Sequence, residues 1–284
     1  MFASFTDRLN FGAGGGTVSN QPSAFPTRPI GQLGNFNRFA INFITVAGLT
    51  NSTQQAAINQ LSYDLVNSGL MDKMVAVYPF VGGSATSHQY NLKDARDADT
   101  AFRLTFSGGW THSSTGAQPN GTNAFANTFI SAVNHIRQTN HHVSYYSRTS
   151  VVSNPRSDMG SNNTAVFLQL NIALSFYSGA AGTPVNFTTT STATGFWVGN
   201  KLGFADRRAY RNGIREGINT ASDTNLLTNL NIYIGARNNN NASVDQYSNR
   251  ECAFATIGDS LTDAEVATLY TIVQNYQTLL GRQV

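Results

Sequence analysis

Seven segments between residues 75 and 257 alternate polar and apolar side chains with the period of two that is typical of half-buried β-strands. Aromatic and β-branched residues are frequent in them, and turn-forming clusters separate them. The predicted strands are 75–80, 101–106, 142–146, 165–172, 195–198, 231–235 and 252–257. Many short strands with few helices predict a mainly β fold, a two-sheet sandwich or jelly roll.

The dipeptide Asn212-Gly213 separates two short segments, 209–211 and 214–216. Both central residues of a type I′ turn need a positive φ, which Asn and Gly adopt most readily. The sequence therefore predicts a β-hairpin with a two-residue turn at this point.

Two other segments carry apolar residues at helical spacing. In the first, Ser52 and Gln55 predict a capping box, and Gly69 predicts the C-terminal stop. In the second, Thr262 and Glu265 predict another capping box. We expect one N-terminal helix and one C-terminal helix beside the sandwich.

The first 39 residues follow neither period and are rich in Gly and Pro. We predict an extended arm over 1–39, a helical linker over 40–74, and the sandwich with its C-terminal helix over 75–284. Ordering such an arm costs about 1–2 kcal/mol per residue, so it needs contacts. We favour docking on a neighbouring subunit, and an arm wrapped on its own domain is the alternative.

Composition excludes several classes of protein. Only 12% of the 284 residues are charged, but 18 Phe, 11 Tyr and 2 Trp supply ample surface to bury, which argues against disorder. A net charge of +3 is too small to argue for nucleic acid. No apolar stretch approaches the length of a membrane span, so we expect no membrane insertion. The single Cys252 excludes an intrachain disulfide, and we expect no cofactor.

The sequence can be compared with two catalytic motifs, and it lacks an essential part of each. The block 258–261, Gly-Asp-Ser-Leu, matches the nucleophile block of the esterases named after it, but no histidine follows it to accept the serine proton. Sandwich-fold glucanases place two glutamates on one strand, whereas Glu216, Glu251 and Glu265 lie on three separate elements. The sequence therefore predicts a protein that is not an enzyme.

Asp94, Asp97 and Asp99 cluster in a loop and could supply the oxygen ligands that calcium requires. Arg96 and Arg103 are near in sequence and could pair with the same carboxylates instead. A weak calcium site and a solvated turn with ion pairs are the two alternatives.

Other charged clusters suggest no chemistry. His135, His141 and His142 lack a metal-ligand spacing, and because the last two are neighbours on a strand they point to opposite faces, so we predict that all three lie on the surface. Four arginines surround the hairpin without interleaved aromatics, which predicts a solvated or interface hairpin and no nucleic-acid site. They are Arg207, Arg208, Arg211 and Arg215.

Trp110 and His112 lie in a segment rich in Gly, Ser and Thr that ends at Asn120-Gly121. An aromatic ring with small polar donors is what a sugar site needs, which makes both residues candidate glycan contacts. A tryptophan that anchors its own loop is the alternative.

The last 90 or so residues resemble the closing portion of concanavalin A-like, laminin-G-like jelly rolls. The resemblance is carried by strand 231–236, strand 253–258, the helix start 261–265 and the hairpin 210–213. More specifically, the run from about Gly48 to Val284 is similar to uncharacterised virion proteins of tailed phages. The segments that carry this similarity are 78–83, 104–112 and 145–149.

This resemblance implies a non-enzymatic structural protein located in the virion, a decoration or fibre component of head or tail. Its expected partners are other virion proteins and further copies of itself as a homo-oligomer, with host-surface glycans as a further partner. A lectin-like, glycan-binding adhesin is the first alternative, and a polysaccharide-degrading enzyme is the second.

Overall fold

The computed structural model describes residues 37–151, 156–161, 167–169, 175–177, 185–186, 192–222, 226–239 and 243–284. The helices among them are α1 (Arg38–Val46), α2 (Ser52–Asn67), α3 (Leu70–Lys73), α4 (Ala85–His88), α5 (Ala132–His135) and α6 (Asp263–Leu279), with a 3₁₀ helix at Asp99–Ala101. The strands are β1 (Met74–Tyr78), β2 (Thr105–Ser107), β3 (Trp110–Ser113), β4 (Gly116–Pro119), β5 (Phe125–Ser131), β6 (His141–Ser147), β7 (Met159–Ser161), β8 (Phe167–Gln169), β9 (Ser175–Tyr177), β10 (Val185–Asn186), β11 (Gly195–Gly203), β12 (Asp206–Arg211), β13 (Ile214–Asn219), β14 (Asn231–Ile234), β15 (Arg237–Asn238), β16 (Val244–Asp245) and β17 (Cys252–Gly258).

These strands form two sheets, which confirms the predicted mainly β sandwich. The first, sheet A, has the order β13-β12-β11-β6-β17-β4-β3, with β1 also paired to β17. The second, sheet B, has the order β10-β9-β8-β7-β14-β5-β2, with β15 also paired to β7 and β16 paired to β15. Neighbouring strands along both orders pair antiparallel, as is usual in jelly rolls.

Sheet A is covered on both faces. Alternate residues of β6 and β11 divide between two apolar clusters: Tyr145 and Trp197 join the cluster between the sheets, and Tyr146 and Phe196 join the cluster under the helices. Because successive side chains of a strand point to opposite faces, one strand can serve both clusters. Helices α1, α2, α3 and α6 contribute to the second cluster, so the N-terminal helices pack on their own sandwich.

Short sequence motifs predicted one turn and one helix cap correctly and misplaced another cap by one residue. Asn212 and Gly213 have φ values of 48° and 78°, and Arg211 pairs with Ile214, which confirms the predicted hairpin between β12 and β13. Thr262 and Glu265 form the predicted capping box of α6. At α2 the prediction was wrong by one residue, because the side chain of Asn51 caps the helix by accepting from the backbone N–H groups of residues 53 and 54.

The predicted strand 101–106 was also wrong over its first half. Residues 99–101 form a 3₁₀ turn and Phe102 adopts a left-handed conformation with φ of 60°, so that β2 begins only at Thr105. The arm predicted over 1–39 lies outside the described residues except for its last three, and the first described helix begins at Arg38. In the parts of the chain that the structure describes, no helix has the length and apolar character needed to cross a membrane.

Candidate functional site

Trp110 lies in β3, an edge strand of sheet A, and links three strands. Its indole Nε1 donates to the carbonyl oxygens of Ser107 and Phe125 at 3.0 and 3.3 Å. Its ring packs edge-on against Phe106, with the centroids 5.2 Å apart. Trp110 therefore ties the start of β3 to β2 and β5, as expected for a tryptophan that anchors its own hairpin.

The far edge of the indole lies against bare backbone at Gly235. A Cβ atom at this position would lie 2.8 Å from Cη2 of Trp110, and Gly235 has a φ of +85°, which L side chains rarely adopt. Glycine is thus needed here for both space and conformation. Direct glycan contact by Trp110 stays a prediction.

His112 pairs with a histidine that the sequence had not linked to it. Its Nδ1 lies 2.9 Å from Nδ1 of His88, and the backbone N–H of Gly83 donates to Nε2 of His88 at 3.2 Å. The neutral His88 therefore carries its proton on Nδ1 and donates it to His112, whose own proton is on Nε2. Burial lowers the pKa of His88 to about 3, the proximity of His112 and Arg282 adding to the effect, and burial also lowers the pKa of His112.

The outer face of sheet B carries a second group of residues. In β5 and β14 the buried Ala126, Ile130, Ile232 and Ile234 face the core, so the intervening side chains point away from it. Tyr233 pairs with Asn127, which pairs with Thr105, and the next row pairs Phe125 with Ser107. We call these five residues the aromatic face: Thr105, Ser107, Phe125, Asn127 and Tyr233.

Two rings dominate the aromatic face. Phe125 and Tyr233 are stacked, with centroids 4.8 Å apart and planes inclined by only 17°. Both are partly exposed. On the other side of β14, the register partner of Tyr233 is Gly160, which has no side chain to cover the tyrosine ring. Desolvation raises the pKa of Tyr233, so its hydroxyl is protonated at neutral pH.

Polar groups with unused hydrogen-bonding capacity surround these rings. The Asn127 side-chain oxygen accepts from the backbone N–H of Phe129 at 2.9 Å. The amide N–H groups of the same side chain donate to no described residue. Within the described residues, no hydrogen bond is formed by the hydroxyls of Thr105, Ser107 or Tyr233. By contrast, the Asn120 side chain bonds three backbone N–H groups of its own loop. The aromatic face can therefore offer hydrogen bonds to a ligand without first breaking its own.

The three aspartates considered for calcium are divided between two arginines. Asp94 pairs with Arg96 at 2.5 Å, whereas Asp97 and Asp99 share Arg103 at 3.2 and 3.0 Å. The described part of the chain contains no group of three or more His, Cys, Asp or Glu side chains arranged to hold a metal ion. Ion pairing is the arrangement observed, and calcium binding stays a prediction.

The prediction that His141 and His142 lie on the surface was wrong, because both are buried in β6, at the centre of sheet A. Nδ1 of His142 contacts the carbonyl oxygen of Asp259 at 2.5 Å, and Nε2 lies 2.9 Å from Oγ1 of Thr256. His142 thus lies beside the Gly-Asp-Ser-Leu block, but it contacts Thr256 and backbone there. His135 is exposed, as predicted.

The cations of the β12–β13 hairpin are largely neutralised within the protein. Arg208 and Arg215 both pair with Asp263, at 2.5 and 2.8 Å. Arg211 lies 4.9 Å above the ring of Trp197 and Arg207 is buried, so the four arginines are not all solvated, and the alternative of an interface hairpin stays a prediction. The guanidinium of Arg207 donates to the carbonyl oxygen of Ala221, just after β13, at 3.0 Å.

Glu265 and Glu251 form ion pairs. Glu265 binds Lys73 at 2.6 Å while capping α6, and Glu251 binds Arg148 at 3.0 Å and accepts from Thr115. Glu216 lies in β13, so the three occupy separate elements, as the sequence indicated.

Comparison with known proteins shows a likeness of fold. No protein-family model and no curated protein matches the chain. A solved structure of botulinum neurotoxin type C, whose cell entry depends on two ganglioside molecules, is similar with a TM-score of 0.52 and 10% identity over 73% of this chain and 53% of that one. A mutant Trypanosoma rangeli sialidase with trans-sialidase activity is similar with a TM-score of 0.52 and 10% identity over 80% of this chain and 39% of that one.

At these identities the similarities show the fold alone. The chain spans only about two fifths to one half of the two matched structures. Neither of these structures provides a link to a phage particle, so the virion location and virion partners stay predictions.

Proposed function

We propose that this protein is a lectin-like, glycan-binding β-sandwich domain and that the aromatic face is its binding surface. The observation that carries the proposal is the combination on one sheet face of a partly exposed ring stack and polar groups with unused hydrogen-bonding capacity. The fold supports the proposal only in general terms, since similar sandwiches occur in a toxin that enters cells through gangliosides and in a sialidase.

The chemistry of a sugar fits this combination. A pyranose ring has one face of C–H groups, which pack favourably on an aromatic ring, and a rim of hydroxyls that donate and accept hydrogen bonds. The partly exposed ring of Tyr233 provides the apolar surface, and Asn127 and Thr105 lie in the same row across β5 and β2. Side chains on adjacent strands of such a row are about 4.5–5.5 Å apart at Cβ, so a sugar residue packed on the ring can bond Asn127, and Thr105 lies one strand farther along the row.

Trp110 has a positioning role under this proposal. It holds the carbonyl groups of Ser107 and Phe125, which belong to the two strands that carry most of the aromatic face. A Trp110→Ala change should therefore weaken binding by loosening β2 against β5, and it should lower thermal stability at the same time.

A glycan array tests the proposal. Wild-type protein should bind a defined subset of glycans, and Phe125→Ala and Tyr233→Ala should each lose about tenfold in affinity, the order of one aromatic contact. Phe204→Ala is the matched control, because Phe204 is an exposed aromatic residue on the β11–β12 turn. Absence of any specific binding by the folded wild type would overturn the proposal.

The virion setting is a separate proposal that rests on the resemblance to tailed-phage proteins. A glycan-binding domain displayed on a particle would attach it to the host surface. Immunogold labelling of purified phage particles with an antibody to this chain tests that setting, and unlabelled particles would contradict it.

A further inference from the structure

We infer that the aromatic face recognises uncharged glycans and discriminates against those with carboxylate or sulfate groups. The inference rests on the proposed function and specifies its class of ligand. It comes from the charges on and around the face.

The strands that form the aromatic face carry no Asp, Glu, Lys, Arg or His. Their sequences are Thr-Phe-Ser in β2, Phe-Ala-Asn-Thr-Phe-Ile-Ser in β5 and Asn-Ile-Tyr-Ile in β14. A bound carboxylate or sulfate would lose water without meeting a cation on these strands, which is unfavourable. The hydroxyl groups of a neutral sugar, in contrast, need only neutral donors and acceptors.

Two arginines that flank these strands have acidic partners. Arg103, two residues before β2, pairs with both Asp97 and Asp99, which leaves one carboxylate charge in excess at that end. Arg237, after β14, pairs with Asp245 at 2.6 Å. An acidic sugar would have to compete with these carboxylates, and the excess negative charge near β2 would repel it.

A substitution at Asn127 should change the affinity for neutral glycans most directly. Its amide donor lies between Tyr233 and Thr105 in the central row of the face. Asn127→Asp keeps the size of the side chain but replaces the donor with a charged acceptor. We expect this variant to lose about tenfold in affinity for a neutral glycan, as expected for a hydrogen bond replaced by a desolvated charge.

Titration calorimetry with two sets of probes tests the inference. The neutral set is N-acetyllactosamine, mannotriose, cellotriose and maltotriose; the acidic set is sialylated N-acetyllactosamine, trigalacturonic acid and a sulfated heparin oligosaccharide. We expect binding within the neutral set, and affinity unchanged when salt is raised to about 1 M, where the screening length is about 3 Å. Phe125→Ala and Asn127→Asp should weaken it, and Phe204→Ala should not.

The possible failures are distinguishable. Binding only within the acidic set, weakened by salt, would overturn the inference and leave the glycan-binding function in place. Binding of neither set by folded wild type, together with a blank array, would overturn the proposed function itself. Neutral binding that survives Phe125→Ala would overturn the assignment of the aromatic face as the site.

Discussion

The outer faces of the two sheets differ in exposure to solvent, although the strands of both sheets alternate inward and outward side chains in the same way. On sheet A the outward side chains, such as Tyr146, Phe196 and Phe254, are buried beneath the helical layer. On sheet B the outward Phe125 and Tyr233 stay partly exposed. A face whose aromatics lie under helices stabilises the fold, whereas one whose aromatics reach solvent beside unpaired polar groups is suited to binding.

The largest expected effect comes from replacing a phenylalanine by alanine on each face and comparing the two losses of stability. Phe254→Ala should lower the free energy of unfolding by about 3–5 kcal/mol, because the ring is buried between Phe196 and Tyr276 and its loss leaves a cavity. Phe125→Ala should cost about 1 kcal/mol or less, since the ring remains partly in water. Urea denaturation measures both. Equal losses would contradict the functional distinction between the faces.

Acid should destabilise the fold through two buried histidines. Burial holds the pKa of His142 at about 4 and that of His88 at about 3, below the ordinary value of 6.5. The unfolded chain therefore binds more protons than the folded one as pH falls below 6.5, and stability decreases until the folded-state pKa is reached. Between pH 7 and pH 5 each histidine should remove about 2 kcal/mol.

The measurement is the free energy of unfolding at several pH values for the wild type and for His142→Gln. The variant starts from a lower stability at neutral pH. On acidification its free energy of unfolding should fall by less than that of the wild type, the difference being the contribution of one histidine. An unchanged slope would exclude His142 as a source of the acid sensitivity. His135→Gln is a suitable control, because this histidine is exposed.

Local sequence determined the parts of the fold that depend on few residues. The hairpin at Asn212-Gly213 and the cap at Thr262 need only neighbours along the chain, and both were predicted correctly. The pairing of His88 with His112 could not be predicted in this way, because it depends on how a short helix lies against an edge strand. Burial of His142 likewise depends on the helical layer, which no residue near it in sequence reveals.

The aromatic face shows the same limit. The alternation of Phe125, Asn127 and Phe129 with Ala126 and Ile130 is a strand pattern, although the seven predicted strands do not include it. Even so, the stacking of Phe125 on Tyr233 requires β5 and β14 to pair in a particular register. Of the site, the sequence pointed to Trp110, which lies behind the face and holds its strands, rather than to the residues on the face.

A smaller effect tests that supporting role. Gly235→Ala should lower the free energy of unfolding by about 1–3 kcal/mol, because the methyl group would meet the Trp110 ring and the backbone has a φ of +85°. Thermal unfolding gives the stability change, and Trp110 fluorescence reports displacement of the ring. Gly281→Ala is a control with a positive φ but open space around its Cβ, so only the conformational part of the loss should be seen.

The smallest expected effect is also the most specific to function. Tyr233→Phe removes only a hydroxyl that forms no hydrogen bond among the described residues, so the unfolding free energy should change by less than about 0.5 kcal/mol. If that hydroxyl binds a sugar, affinity for the neutral probe should fall by about two- to tenfold, the value of one net hydrogen bond. Calorimetry with wild type and variant measures the change. Unaltered affinity in this variant, together with a loss in Tyr233→Ala, would mean that the ring contributes to binding by stacking alone.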